Sequence, residues 1–299
     1  MKKIALVLGT LVVLLGIAGC SAKSDDSLDL GSTEAQVTET LTTNEQTTED
    51  IDSEASVSVD GTTSASIVPE ALVQNYVPKG FTDSERKKAL FVVGDPRKYS
   101  VNYDLVNTAM RHFEENGVEV ELRDLYDISF DPVLSLDNFY FAKDGAGMAS
   151  PEVKAEQDFV TQADYIIFCY PNWHDTPNAI VKGYMETVFS KKFAYQDTAD
   201  GLEGMLKEKS LYTIMNAGFL GGGRGYIGDG VGIDDASWDT YMNAFKVMDD
   251  DTAKFWGMEN AGRFTNDRTP KNNSETYEAD LDSLQKSLIE HLDRVFLNK

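Results

Sequence analysis

DYIIFCYPNWHDTPNAIVKGYMETVF, residues 164–189, holds a strand, a turn and a helix in that order. The run from Tyr165 to Tyr170 is unbroken apolar and aromatic sequence of strand length, which suits a strand covered on both faces, as in a parallel sheet. Ile180, Val181, Tyr184, Met185, Val188 and Phe189 then recur at helical spacing and form one apolar stripe. Between the two lies a polar turn carrying Trp173 and His174. It falls at the carboxyl end of the strand, where open α/β sheets keep their ligands.

Residues 88–94 (KALFVVG) read as a second buried strand, and the stretch after the turn DPRKYSVN (95–102) as a helix with Leu105, Val106, Ala109, Met110 and Phe113 on one face, ended by Gly117. A short strand over 118–122 completes a β-α-β unit. The connection 123–150 is longer than such links usually are, which marks it as a binding or lid segment. Ser150 and Pro151 open a helix to Gln162, as N-cap and first helical residue. Further on, SLYTIM (210–215) is a fourth buried strand, residues 237–247 a helix, 253–258 a fifth strand, and the stripe from Tyr277 to Val295 a last helix. Strand and helix alternate throughout, so the class is α/β with a five-stranded parallel sheet.

The first twenty of the 299 residues belong to no fold. Lys2 and Lys3 precede an apolar run over 4–17 that ends in small residues, the pattern of a secretory signal. The ending IAGC resembles the lipobox of bacterial lipoproteins, which implies a signal over 1–19, a lipidated Cys20, and attachment to the extracytoplasmic face of the cell membrane. Residues 20–82 are acidic and rich in Ser and Thr, too poor in apolar surface to offset chain entropy, and read as a tether with a reach of roughly 40 Å. The folded domain is expected over 83–299. A net charge of −23 argues against nucleic acid as partner. Cys169, inside the apolar strand, reads as a small buried hydrophobe.

Three loops leave strand ends: 95–102, 171–178 and 216–226. In a doubly wound sheet they converge on one crevice. Ser100 and Asn102 stand where the first helix starts, a place that suits both an N-cap and a phosphate held on free N–H groups. No P-loop or Rossmann glycine fingerprint follows the first strand. His174 has no second His or Cys at metal spacing, so no metal site is expected.

The turn GDPRKYSVN, the connection DLYDISFDPVL, the central YPNWHDTPNAIVKGYMETVF and the segment KKFAYQDTADGLEGMLKEKSLYTI together resemble the flavodoxin-like NAD(P)H:quinone oxidoreductases, including the modulator of drug activity B group. The resemblance covers residues 88–296. It implies a flavodoxin-like doubly wound sheet with helices on both faces and a flavin, FMN or FAD, with its phosphate at Ser100 and Asn102. It places the flavin ring between Pro171, Asn172, Trp173 and His174 on one side and Asn216, Ala217 and Gly218 on the other, with Tyr226 as the catalytic, substrate-side tyrosine. A quinone acceptor and a homodimer are implied in the same way. The chain departs from the family at Asp95, where the family has His, and a carboxylate there repels an anion unless Arg97 offsets it. The third loop is about two residues longer, and the histidine beyond the tyrosine is absent. Residues 60–66 (DGTTSAS) resemble the extracytoplasmic flavinylation motif, which implies FMN esterified to Ser66.

Overall fold

The computed structural model describes residues 75–144, 146–217, 235–267, 270 and 274–298. Cys20, Ser66, Gly218 and Tyr226 lie outside the described residues.

A five-stranded parallel sheet organises the domain. It is built from β1 (Lys88–Val93), β2 (Glu119–Asp124), β3 (Tyr165–Pro171), β6 (Ser210–Asn216) and β7 (Glu259–Asn266), in the order β2-β1-β3-β6-β7. The direction of winding reverses between β1 and β3, so the carboxyl ends of these two strands flank the switch point. The three central strands are buried along almost their whole length. Continuous apolar sequence is what a strand covered on both faces requires.

Alternation along the strands divides the core between two faces. On one, Phe91, Val93, Ile167, Cys169, Tyr212 and Ile214 pack with α1 (Val101–Glu115) and α6 (Tyr277–Leu292). On the other, Leu90, Val92, Ile166, Phe168 and Tyr170 meet α3 (Pro151–Gln162), α4 (Ala179–Val188) and α5 (Asp235–Trp256). Cys169 is fully buried, and burial pushes its thiol pKa well above the usual value, which leaves it inert. The two N-caps read from the sequence form as expected: Ser100 accepts from the Tyr103 N–H and Ser150 from the Val153 N–H. A π-helical turn, Asp293–Leu297, ends the chain's last helix.

One local expectation is corrected, and two elements are added. The fifth strand is Glu259–Asn266 and not 253–258, because α5 runs on to Trp256 and buries Phe245, Ala253 and Trp256 at helical spacing. Gly257, at φ +80°, then turns the chain into a polar edge strand with little apolar signal. The long connection after β2 contains α2 (Leu136–Asp144), whose side chains are mostly exposed. Between α4 and β6 the chain forms a hairpin, β4 (Tyr195–Thr198) with β5 (Gly201–Gly204). Gly204 lies so close to the Gly257 backbone that a Cβ would sit 2.0 Å from its nitrogen, so the hairpin is seated on the end of α5.

Ahead of β1, residues 76–84 are docked on the sheet edge. The Tyr76 hydroxyl donates to Glu114, and Glu119 accepts from the Thr82 N–H and the Ser84 hydroxyl at 2.8 Å each. Among the described residues no helix is long and apolar enough to cross a membrane.

Candidate functional site

Parallel pairing fixes which loops meet. Pro171 lies beside Asn216 in register, and the Gly94 N–H donates to the Cys169 carbonyl, so the loops after β1, β3 and β6 leave the sheet at one rim. Side chains tie them together. Asn178 donates to the Gly94 carbonyl, the Asn172 N–H donates to the Asn216 carbonyl at 2.9 Å, and the Arg97 guanidinium lies 5.3 Å from the centre of the Trp173 ring. Gly94 is required here, since a Cβ would meet Val181 at 2.3 Å. Thus the loops carrying Ser100, Asn102, Pro171, Asn172, Trp173, His174, Asn216 and Ala217 lie at one edge of the sheet. The expected contributions of Gly218 and Tyr226 fall outside the described residues.

In the first loop Asp95 is fully buried, and its carboxylate accepts from the Arg97 N–H at 2.9 Å and from both arms of the Arg97 guanidinium at 3.0 Å. Ser100 donates its hydroxyl proton to the same carboxylate at 3.0 Å. Arg97 therefore does neutralise Asp95, as the charge argument requires. Asn102 is also fully buried, yet neither its amide oxygen nor its amide nitrogen has a partner. An unpaired buried amide is costly, and such groups occur where something else completes them. Nearby, Lys98 is ion-paired with Asp124 and Asp127, and the Tyr103 hydroxyl donates to Asp124, which together with burial pushes the tyrosine pKa up strongly.

The second loop stores backbone strain. His174 (φ 57°) and Asp175 (φ 63°) are consecutive left-handed residues, a conformation that His and Asp adopt more readily than most but that still requires support. Support comes from α5: the Tyr241 hydroxyl donates to Asp175 at 2.6 Å and accepts from the Asn172 amide at 2.8 Å. The Asn172 oxygen is left without a partner, and so is that of Asn178. Trp173 is 40% exposed, so part of its ring faces outward at the rim. Sequence reasoning missed Tyr241, because a tyrosine on a helical stripe reads as core. In the third loop Asn216 accepts from the Asn266 amide at 2.8 Å, which fixes its side chain against β7.

A match to the flavodoxin-like fold family model runs over residues 87–289, which takes in every strand of the sheet and every loop of the rim. The chain belongs to that family. Among curated relatives, this flavodoxin-like chain is 38% identical over 105 residues to a Haemophilus influenzae protein described as an uncharacterized NAD(P)H oxidoreductase, covering 35% of this chain and 51% of that one. It is 31% identical over 148 residues to the NAD(P)H dehydrogenase [quinone] 1 of Cavia porcellus, covering 44% and 54%. The chain thus spans about half the length of the curated relatives it matches. Among solved structures, a putative quinone reductase from Klebsiella pneumoniae superposes with a TM-score of 0.56 at 23% identity, covering 70% of this chain and 85% of that one. An NAD(P)H:quinone oxidoreductase from Methanothermobacter marburgensis gives 0.55 at 16%, covering 68% and 98%. At these identities the two structures share the fold.

The flavodoxin-like domain also holds a cavity of about 840 Å³ on the sheet face between α4 and α5. Phe168, Tyr170, Met185 and Trp256 line it, and Arg263, paired with Asp249 through both guanidinium arms at 2.7 Å, also lines its wall. It shares Thr176 and Pro177 with the second loop but none of Ser100, Asn102, Trp173 or Asn216. The cavity and the rim are therefore different places. The unpaired amides and the left-handed turn belong to the rim, which is where the family's fold rule puts a ligand.

Proposed function

We propose that this chain is a flavin-dependent oxidoreductase that binds FMN at the rim and reduces quinones or similar acceptors with electrons from NAD(P)H or a quinol. The observation that carries this reading is the Asn102 amide, buried and unpartnered in the first turn of α1 and next to the N-cap Ser100. Asn102 and Arg97 would hold the phosphate at the turn capped by Ser100, and the loop of Pro171, Asn172, Trp173 and His174 with Asn216 and Ala217 would flank the ring. Bound flavin supplies the hydride chemistry. The chain's own residues position it and keep its phosphate out of water. The relatives described as an NAD(P)H dehydrogenase [quinone] 1 and an uncharacterized NAD(P)H oxidoreductase support the activity.

Rapid bleaching of the 450-nm band by NADPH or NADH, followed by reoxidation with a soluble quinone, tests the enzyme. A second reading, a flavodoxin-like electron carrier without turnover, is favoured by Asp95, which already engages the Ser100 hydroxyl. Flavin that binds but is bleached by no nicotinamide or quinol donor would select it. Tyr226 as substrate-side residue and a homodimer that completes the site belong to the same proposal, and light scattering of the purified protein checks the second.

Membrane attachment through a lipidated Cys20, on the extracytoplasmic face, is part of the proposal and rests on the lipobox-like IAGC alone. Labelled fatty acid should enter the native protein and not a Cys20→Ser variant. Esterification of FMN to Ser66 would appear in the intact mass of the protein isolated from its own host.

A further inference from the structure

We infer that the Asp95 carboxylate occupies the place of the ligand's phosphate in the ligand-free protein, so that flavin binding is selective by phosphate charge and Arg97 is the residue shared between the internal and the incoming anion. This rests on the flavin reading. The donors that Asp95 collects are those a phosphate monoester needs: a hydroxyl at a helix N-cap, a backbone N–H and a planar guanidinium fork. Ser100 has one proton to give, and it goes to Asp95, while its oxygen already accepts from the Tyr103 N–H. A phosphate arriving at this turn finds a hydroxyl with nothing left to donate.

Two features nonetheless fit an anion. The Asn102 amide is buried with both atoms unpaired, and Arg97 uses only part of its donor set on Asp95 while its side chain, 29% exposed, lies over Trp173. A guanidinium has five N–H donors and can hold a carboxylate and a phosphate together. The seat is thus half open, at Asn102 and Arg97, and half closed, at Ser100. The monoester of FMN carries a charge of about −1.5 to −2 near neutral pH and meets the Asp95 carboxylate as a like charge. Riboflavin, with the same ring and no phosphate, does not.

The test is a fluorescence titration of the full-length protein with FMN and, separately, with riboflavin. Asp95→Asn keeps the side-chain shape and removes the charge, and FMN should bind about tenfold more tightly while riboflavin shifts by less than about twofold. Arg97→Gln should weaken FMN about tenfold and leave riboflavin unmoved. If Asp95→Asn fails to fold, as its circular dichroism will show, Asp95→Ser, which also removes the charge, takes its place with the same expected outcomes. FMN affinity that is unchanged or weaker in Asp95→Asn overturns the inference, as do FMN and riboflavin shifting together in either variant. FMN bound equally by all three proteins leaves the flavin reading standing and removes this inference alone. No binding of either flavin to any of them removes both.

Discussion

The two ends of the parallel sheet are built on opposite principles. At the amino end the groups around Asp164 and Glu119 close on one another. Asp164 accepts from the Lys88 N–H at 2.9 Å and pairs with Lys87 at 2.7 Å, Lys209 donates to the last carbonyls of α3, and Glu119 gathers the Thr82 and Ser84 donors. At the carboxyl end, Asn102, Asn172 and Asn178 keep unpaired amide atoms, His174 and Asp175 are held left-handed, and Asp104 in the first turn of α1 is a buried carboxylate to which Gln285 donates. One end is spent on stability. The other holds polar groups in reserve, which is where a ligand's contribution would be gained.

That contrast can be broken by substitution at either end. The largest effect is expected at the rim: Asn102→Asp puts a carboxylate against a phosphate and should lower FMN affinity about a hundredfold, by fluorescence titration. At the amino end Glu119→Ala should cost about 2 kcal/mol in urea unfolding and leave flavin affinity alone. The same residue gives a pH signature. Hydrogen bonds from Thr82 hold the Glu119 pKa down at about 2 against 4.5, so its contribution is complete above pH 4.5 and is lost as pH falls toward 2. The melting temperature of Glu119→Gln should fall less steeply over that range.

Asp104 sharpens the contrast with the opposite sign. Burial, only partly offset by the Gln285 hydrogen bonds, raises its pKa from 3.8 to about 6, so the folded state binds its proton more tightly and the protein loses stability as pH rises through this window. Asp104→Asn should stabilise the fold by roughly 2 kcal/mol at pH 7 and by almost nothing at pH 4, measured by urea unfolding at the two values. The smallest effect is expected at the exposed helical pair of Lys182 and Glu186, 2.7 Å apart. Replacing both with Ala should change stability by no more than about 0.5 kcal/mol.

Where the sequence could be read, the reason was periodicity. β1, β3 and β6 are unbroken apolar runs, and α1 and α4 carry clean stripes, so the class, the parallel sheet and the strand-end loops followed from pattern, while the strand order came from the structure. β7 was misplaced because ENAGRFTN is an edge strand of mixed polarity, while the end of α5, AKFWGM, mimics a short apolar strand. The hairpin β4–β5 lacks alternation and is fixed by the close approach of Gly204 to Gly257, a contact invisible in one dimension. In the site, Ser100, Asn102 and Trp173 were legible because strand ends and caps are local. That Tyr241 braces the second loop from a helix 66 residues beyond Asp175, and that Asp95 takes the Ser100 proton, are tertiary facts.

The central claim is that the carboxyl rim of this sheet seats a phosphorylated flavin. Isothermal titration of the purified protein with FMN tests it most directly: saturation at one FMN per chain, weakened about a hundredfold by Asn102→Asp, is predicted. Absence of binding, or binding that Asn102→Asp leaves unchanged, would contradict it.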